Sequence, residues 1–337
     1  MTGRPSNLPK FSDLPLNKDD PKFSAWGLYG RDDQLGFLNR QTDAIVAEAA
    51  KEIKTGVRVS LNWPLDAQRK TPFFGRQVFH KKLIDKSPRT VNDDIWTFNT
   101  QSSSQWDGLR HFGYQKEKKF YNSVTMEDIH GSEDSTVNGI QAWAEKGIVG
   151  RGVLLDFHKW RLANNIPAEI FKTTTIPLRY LKAVAEAQGT EIKFGDILIV
   201  RVGEFRRLNE KKNNRNMYEY AKSGILGYIT AFNQLSTDEI AALSKQTPPE
   251  LIGVERSEEM LEWIWENFSA VAGDHPAFES YPPPKDWSMH EVLLSGWGCP
   301  IGELFDLEKL AEECEKHNRW SFFVSSEVCN VPGGVAR

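Results

Sequence analysis

The stretch TQSSSQWDGLRHFGYQ, residues 100–115, sets Gln101, Gln105, Asp107 and His111 close together. An aspartate and a histidine four residues apart can serve as acid and base, because an imidazole titrates near neutral pH. The two primary amides can donate hydrogen bonds to a substrate carbonyl or carboxylate. Trp106 stands among them and can line a pocket or pack in a core. His275 in AGDHPAFE and His290 in SMHEVLL also sit beside carboxylates, in loop or strand-end settings where sites are built. His80, His130, His158 and His317 have no such partner at a suggestive spacing and read as surface or core residues. Aspartate and histidine also pair for structural reasons alone, so residue type leaves both roles open.

Other chemistries lack their motifs. There is no G-x-S-x-G elbow, and the serines 102–104 are flanked by glutamines instead of the glycines that a sharp strand-to-helix turn demands. GRGVLLD contains G-x-G without the third glycine of a dinucleotide fingerprint, so no nucleotide cofactor is expected. Cys299, Cys314 and Cys329 show no close metal spacing and read as buried free thiols. A net charge of -4 argues against nucleic acid, which needs a surplus of basic residues on one face. The basic run RRLNEKKNNRN, Arg206 to Asn216, reads as a solvated loop in preference to a phosphate-binding lid. The first 20 residues lack the apolar core of a signal peptide, and no later window approaches the ~20 apolar residues of a membrane span. A cytoplasmic protein without membrane contact is therefore expected.

The elements that must position these residues interleave as in one mixed α/β unit, residues 23–337, behind a flexible arm, residues 1–22, whose Pro, Lys and Asp content buries little. From Thr42, an N-cap, the apolar positions Ile45, Val46, Ala49, Ala50 and Ile53 recur at helical spacing until Gly56. VRVSL alternates as a half-buried strand does, and GVLLDF and GDILIVRVG read as buried strands. PLRYLKAVAEAQG is a helix that opens on proline and closes on glycine. SEEMLEWIWENF is a helix with Met260, Leu261, Ile264 and Trp265 on its apolar face, followed by the short strand SAVAGD. LFDLEKLAEECEKH and WSFFVSS supply a last helix and strand.

QSSSQWDGLRH also resembles the signature His-x-Gly-Thr-His-x-Asp-x-Pro-x-His of the cyclase superfamily related to kynurenine formamidase. Further matching segments are WGLYGRDDQLGFLN, YNSVTMEDI, GIVGRGVLLDF, FGDILIVRVG, VAGDHPAFE, MHEVLLSGWGCPIGELFDLEKLA and NVPGGVA, in order over residues 25–337. The resemblance implies a swivelling β/β/α fold in a homodimer or homotetramer. It also implies a divalent metal centre that hydrolyses amides, lactones or related cyclic carbonyl compounds. In the family the two signature histidines and the aspartate bind one metal. The aspartate, a later histidine and a glutamate serve a second, and the last signature histidine shuttles protons.

Carried over, the aspartate is Asp107, the shuttle His111 and the later pair His290 and Glu303. Gln101 and Gln105 stand at the two histidine positions, and Ser103 and Ser104 at the glycine and threonine. A glutamine offers a neutral amide oxygen that binds Zn²⁺ or Mn²⁺ weakly, so the first site is not expected as the family builds it. Asp107, His290 and Glu303, aided by Gln105, remain a reasonable site for one Mn²⁺ or Zn²⁺ ion. The rival arrangement is metal-free, with Gln101, Gln105 and Trp106 around the substrate and Asp107 with His111 as acid and base. Past NVPGGVA the family continues with a Ser-Pro-containing segment and a strand, for which this sequence has no counterpart.

Three functions follow from these residues. The first is a hydrolase acting on a small-molecule amide, lactone or cyclic carbonyl compound. The second is a metal-independent cyclase, dehydratase or isomerase of secondary metabolism. The third is a non-catalytic small-molecule binder on the same scaffold.

Overall fold

The computed structural model describes residues 3–68, 73–169, 171–203, 236–284 and 286–337. The basic run at 206–216 lies outside the described residues. The body is a mixed α/β unit around a six-stranded sheet in the order β10-β4-β6-β8-β9-β3. Its strands are β3 (Gln105–Asp107), β4 (Ile148–Asp156), β6 (Asp196–Arg201), β8 (Phe268–Gly273), β9 (Ile301–Glu303) and β10 (Ser321–Ser326). β4, β6, β8 and β9 run parallel, while β10 and β3 close the two edges antiparallel. Trp106 Nε1 on β3 donates to Ser326 Oγ on β10 at 3.0 Å, so the sheet curls until its two edges touch. This is the swivelling β/β/α fold expected from the resemblance.

β6 and β8 are buried along their whole length, which is why they read as unbroken apolar runs. Eight helices complete the chain: α1 (Asp43–Ala49), α2 (Met126–His130), α3 (Gln141–Ala144), α4 (Phe157–Ala163), α5 (Leu178–Ala187), α6 (Thr237–Ser244), α7 (Glu258–Asn267) and α8 (Glu308–His317) among the described residues. Leu178, Leu181 and Val184 of α5 and Met260, Leu261, Ile264 and Trp265 of α7 enter one core with Phe37 and Trp297. Each such side chain removed from water contributes roughly 1.5–3 kcal/mol. Ser257 Oγ caps α7 by accepting from Met260 N. A short parallel pair, β5 (Thr175–Ile176) with β7 (Gly253–Val254), lies outside the main sheet. No described helix is long and apolar enough to cross a membrane.

Several local expectations are corrected. VRVSL does not join a sheet: residues 57–61 form no ladder, and the adjoining Asn62 makes an isolated bridge to Phe305. Helix α1 ends at Ala49 and tightens into a 3-10 turn, leaving Ile53 exposed although it continues the apolar spacing. Cys299 and Cys314 are buried free thiols, but Cys329 is exposed. In the segment expected as an arm, residues 3–22 contact the body: Phe11 is buried against Phe23 and Trp297, and Trp265 Nε1 donates to Pro9 O. An unexpected hairpin, β1 (His80–Asp85) with β2 (Asn92–Thr97), stands almost wholly exposed, with Leu83, Ile95 and Trp96 in solvent.

Candidate active site

β3 and β9 pair antiparallel with Gln105 opposite Glu303 and Asp107 opposite Ile301. Side chains alternate along a strand, so Gln105, Asp107 and Glu303 share one face. Trp106 necessarily points to the other, where it is buried edge-on against Phe305. This parity turns Trp106, expected beside the substrate, away from the face that carries Gln105, Asp107 and Glu303. The turn leading into β3 holds Ser103 at φ 74, a left-handed backbone that suits the glycine at this place in the signature. Ser103 Oγ donates to Trp63 O at 2.5 Å, which offsets part of that strain. Ser104 Oγ donates to Leu304 O at 2.5 Å and ties the turn to β9.

His290 arrives from another element, at the start of a π-helical turn, Glu291–Gly296. Its Nε2 lies 3.1 Å from Glu303 Oε1 and 3.9 Å from Asp107 Oδ2. Ligand atoms of Asp107, His290 and Glu303 all lie within 4.8 Å of one another, and all three residues are buried. Donors at about 2.1 Å from one ion are about 3.0–3.4 Å apart at octahedral or tetrahedral angles, so the 3.9 Å between His290 Nε2 and Asp107 Oδ2 must shorten for both to ligate one ion.

The glutamines turn their amide nitrogens to the carboxylates. Gln101 Nε2 donates to Asp107 Oδ1 at 2.6 Å, and Gln105 Nε2 to Glu303 Oε2 at 3.0 Å. Asp107 Oδ2, Gln101 Oε1 and Gln105 Oε1 are buried with no hydrogen-bond partner among the described residues. Buried unpaired oxygens are costly, and a cation is one thing that satisfies several together. One imidazole, two carboxylates and neutral amide oxygens form a hard donor set, which fits a divalent ion such as Mn²⁺.

Burial opposes a charge on His290, but its hydrogen bonds to Glu279 and Glu303 outweigh burial and hold the imidazole protonated well above its usual range. The Glu303 carboxyl is pushed up to about 7, by burial first and then by the Asp107 charge. His111 Nε2 is 3.7 Å from Asp107 Oδ2. Burial lowers its pKa against the pull of Asp107, which favours a neutral imidazole able to accept a proton. His111 also lines a cleft of about 460 Å³ with Phe120, Met126, Ile129 and Val335.

Two neighbours were missed in the sequence. Glu279 Oε1 lies 3.0 Å from His290 Nδ1 and fixes that ring. A signal for it is present, since it ends the segment VAGDHPAFE that carries part of the resemblance. His275 is instead buried in the core with Nε2 3.0 Å from Phe278 O, and it is not in the cluster. Gly253 lets the chain pass tightly behind Glu279, because a Cβ there would sit 2.2 Å from Glu279 C. The second neighbour is Arg76, whose Nη1 donates to Gln101 O at 2.8 Å. No signature pointed to it.

The profile of the family "Putative cyclase" matches residues 42–280. No curated protein matches the chain. Among solved structures, one described as a novel cyclase is 27% identical with a TM-score of 0.75, covering 93% of this chain and 96% of its own. Isatin hydrolase A from Ralstonia solanacearum is 13% identical with a TM-score of 0.51, covering 86% of this chain and 92% of its own. An isatin hydrolase bound to the product analogue thioisatinate is 13% identical with a TM-score of 0.52, covering 87% of this chain and 94% of its own. The last two show likeness of fold.

Proposed function

The chain belongs to the Cyclase family, and from that premise we propose a metal-assisted hydrolase of a small amide, lactone or cyclic carbonyl compound. The observation that carries the reading is the buried triad of Asp107, His290 and Glu303, whose ligand atoms already lie together and which leaves Asp107 Oδ2 buried without a hydrogen-bond partner among the described residues. Solved neighbours that are isatin hydrolases support it by fold.

A divalent ion held by Asp107, His290 and Glu303 would polarise a carbonyl and make a water nucleophilic near neutral pH. Asp107 spans the centre, with Oδ1 fixed by Gln101 and Oδ2 turned toward both histidines. Glu279 orients His290 from behind. His111, neutral and in the cleft, takes a proton at a ring nitrogen from the attacking water and passes that proton to the leaving nitrogen or oxygen, which returns it to the neutral form. The glutamine amides set the carboxylate orientations.

The two amide donations to Asp107 and Glu303 favour a second reading, a metal-free cyclase, dehydratase or isomerase with Asp107 and His111 as base and acid. Elemental analysis and turnover of a lactone and amide panel, before and after chelation, separate the two. Hydrolysis that is lost with EDTA and restored by Mn²⁺ supports the hydrolase. Turnover untouched by chelation in a metal-free protein sinks it. A homodimer or homotetramer belongs to the same proposal and is supported by the exposed apolar hairpin, since an isolated two-stranded hairpin is only marginally stable. Sedimentation as a monomer at micromolar concentration would refute that part.

A further inference from the structure

Arg76 is a half-buried cation, and no ion pair joins it to a carboxylate among the described residues. Its one described hydrogen bond runs from Nη1 to Gln101 O, at the start of the signature turn. Its guanidinium lies over the Phe74 ring, 4.9 Å from the centroid, and Phe74 in turn stands edge-on to Tyr281 at 5.9 Å. Arg76 is thus held between the signature turn and the loop that carries Glu279. Phe74 adopts φ 57, ψ 22, a left-handed backbone that costs a bulky residue about 1–3 kcal/mol and is enriched at ligand clamps. Gln101, whose carbonyl oxygen Arg76 holds, donates in turn from Nε2 to Asp107 Oδ1 at 2.6 Å, so Arg76 is linked to the buried triad through that one residue.

A guanidinium stacked on an aromatic ring and anchored through one nitrogen keeps its remaining donors aligned as a planar fork, the geometry that matches a carboxylate. We propose that Arg76 is the anion-recognising residue of this site and that the substrate carries a carboxylate set apart from the carbonyl that reacts. The inference rests on reading the buried triad as the reaction centre. A single guanidinium carries one positive charge, which matches a monoanion and leaves the second charge of a phosphate dianion uncompensated.

Titration calorimetry of the purified protein with added Mn²⁺ tests it, using benzoate and benzamide, which share a shape and differ in charge. Benzoate should bind on the order of tenfold or more tighter than benzamide, the worth of a charge-assisted hydrogen bond. Arg76→Met should bring benzoate down to the level of benzamide with the Mn²⁺ content unchanged, and Arg76→Lys should fall between. Equal binding or no binding of the two probes by the parent protein overturns the proposal. So does a benzoate preference that survives in Arg76→Met, or an Arg76→Met protein that loses metal and thermal stability while keeping that preference, the mark of a purely structural clamp. Failure of the lactone and amide panel with the benzoate preference intact and Arg76-dependent counts against the hydrolase reading alone.

Discussion

Gln105 and Glu303 are direct cross-strand partners, joined by a 3.0 Å hydrogen bond although 198 residues separate them in the chain. That one register places the signature strand and the later acidic residue on a single face. It also puts an amide where the family has an imidazole, so the pair reports both the membership and the departure.

His290 is aimed by Glu279, so Glu279→Gln should weaken Mn²⁺ binding by about 10- to 100-fold, as for other carboxylates that orient a ligating histidine. Titration with Mn²⁺ followed by calorimetry gives the value. Unchanged affinity would mean that His290 is not a ligand.

Metal binding should be linked to proton release. The His290 pKa is raised, so below that raised value a proton occupies the imidazole and competes with an ion for Nε2. Mn²⁺ affinity should therefore climb as pH rises above 6.5, the usual histidine value. In the ion-free protein the same upward shift contributes stability that is full below 6.5 and is lost as pH rises through the folded value. Glu303, raised to about 7, loses its contribution in the same direction between 4.5 and about 7. Melting curves in EDTA should fall toward alkaline pH and those with Mn²⁺ should not; parallel curves would contradict the linkage.

His111→Asn should lower turnover by roughly 10² to 10⁴, the usual worth of a general acid or base, while the melting temperature stays near that of the parent. Among the described residues the His111 ring makes no hydrogen bond, and its imidazole lies 3.7 Å from Asp107 Oδ2. Full activity in the variant would remove the proton shuttle from the mechanism.

Arg201 on β6 pairs with Asp156 at 3.0 Å and Glu308 at 2.9 Å, almost fully buried. Arg201→Met should destabilise the protein by about 3–5 kcal/mol, because it strands buried carboxylates without their countercharge. Urea denaturation measures it, and a loss below about 1 kcal/mol would show that the cluster is hydrated.

Much of this protein could be read along the chain, because local rules govern it. The Ser257 cap and the spacing of Met260, Leu261, Ile264 and Trp265 specify α7 wherever it packs, and the apolar run Ile197–Val200 marks a strand buried on both faces. Asp107, His111, His290 and Glu303 were visible by type and by likeness to a known signature. Tertiary structure alone decided the rest. VRVSL has a strand's alternation, but a strand exists only as a pairing, and no ladder takes it up. Trp106 lies between two site residues in sequence and on the opposite face of the sheet in space, because side chains alternate and burial chooses the face. Glu279 and Arg76 reach the site from loops whose course depends on long-range contacts such as Gly253 against Glu279 and Phe74 against Tyr281. Residue types can be read one at a time, whereas a field or a hydrogen bond between distant residues exists only once folding has brought them together.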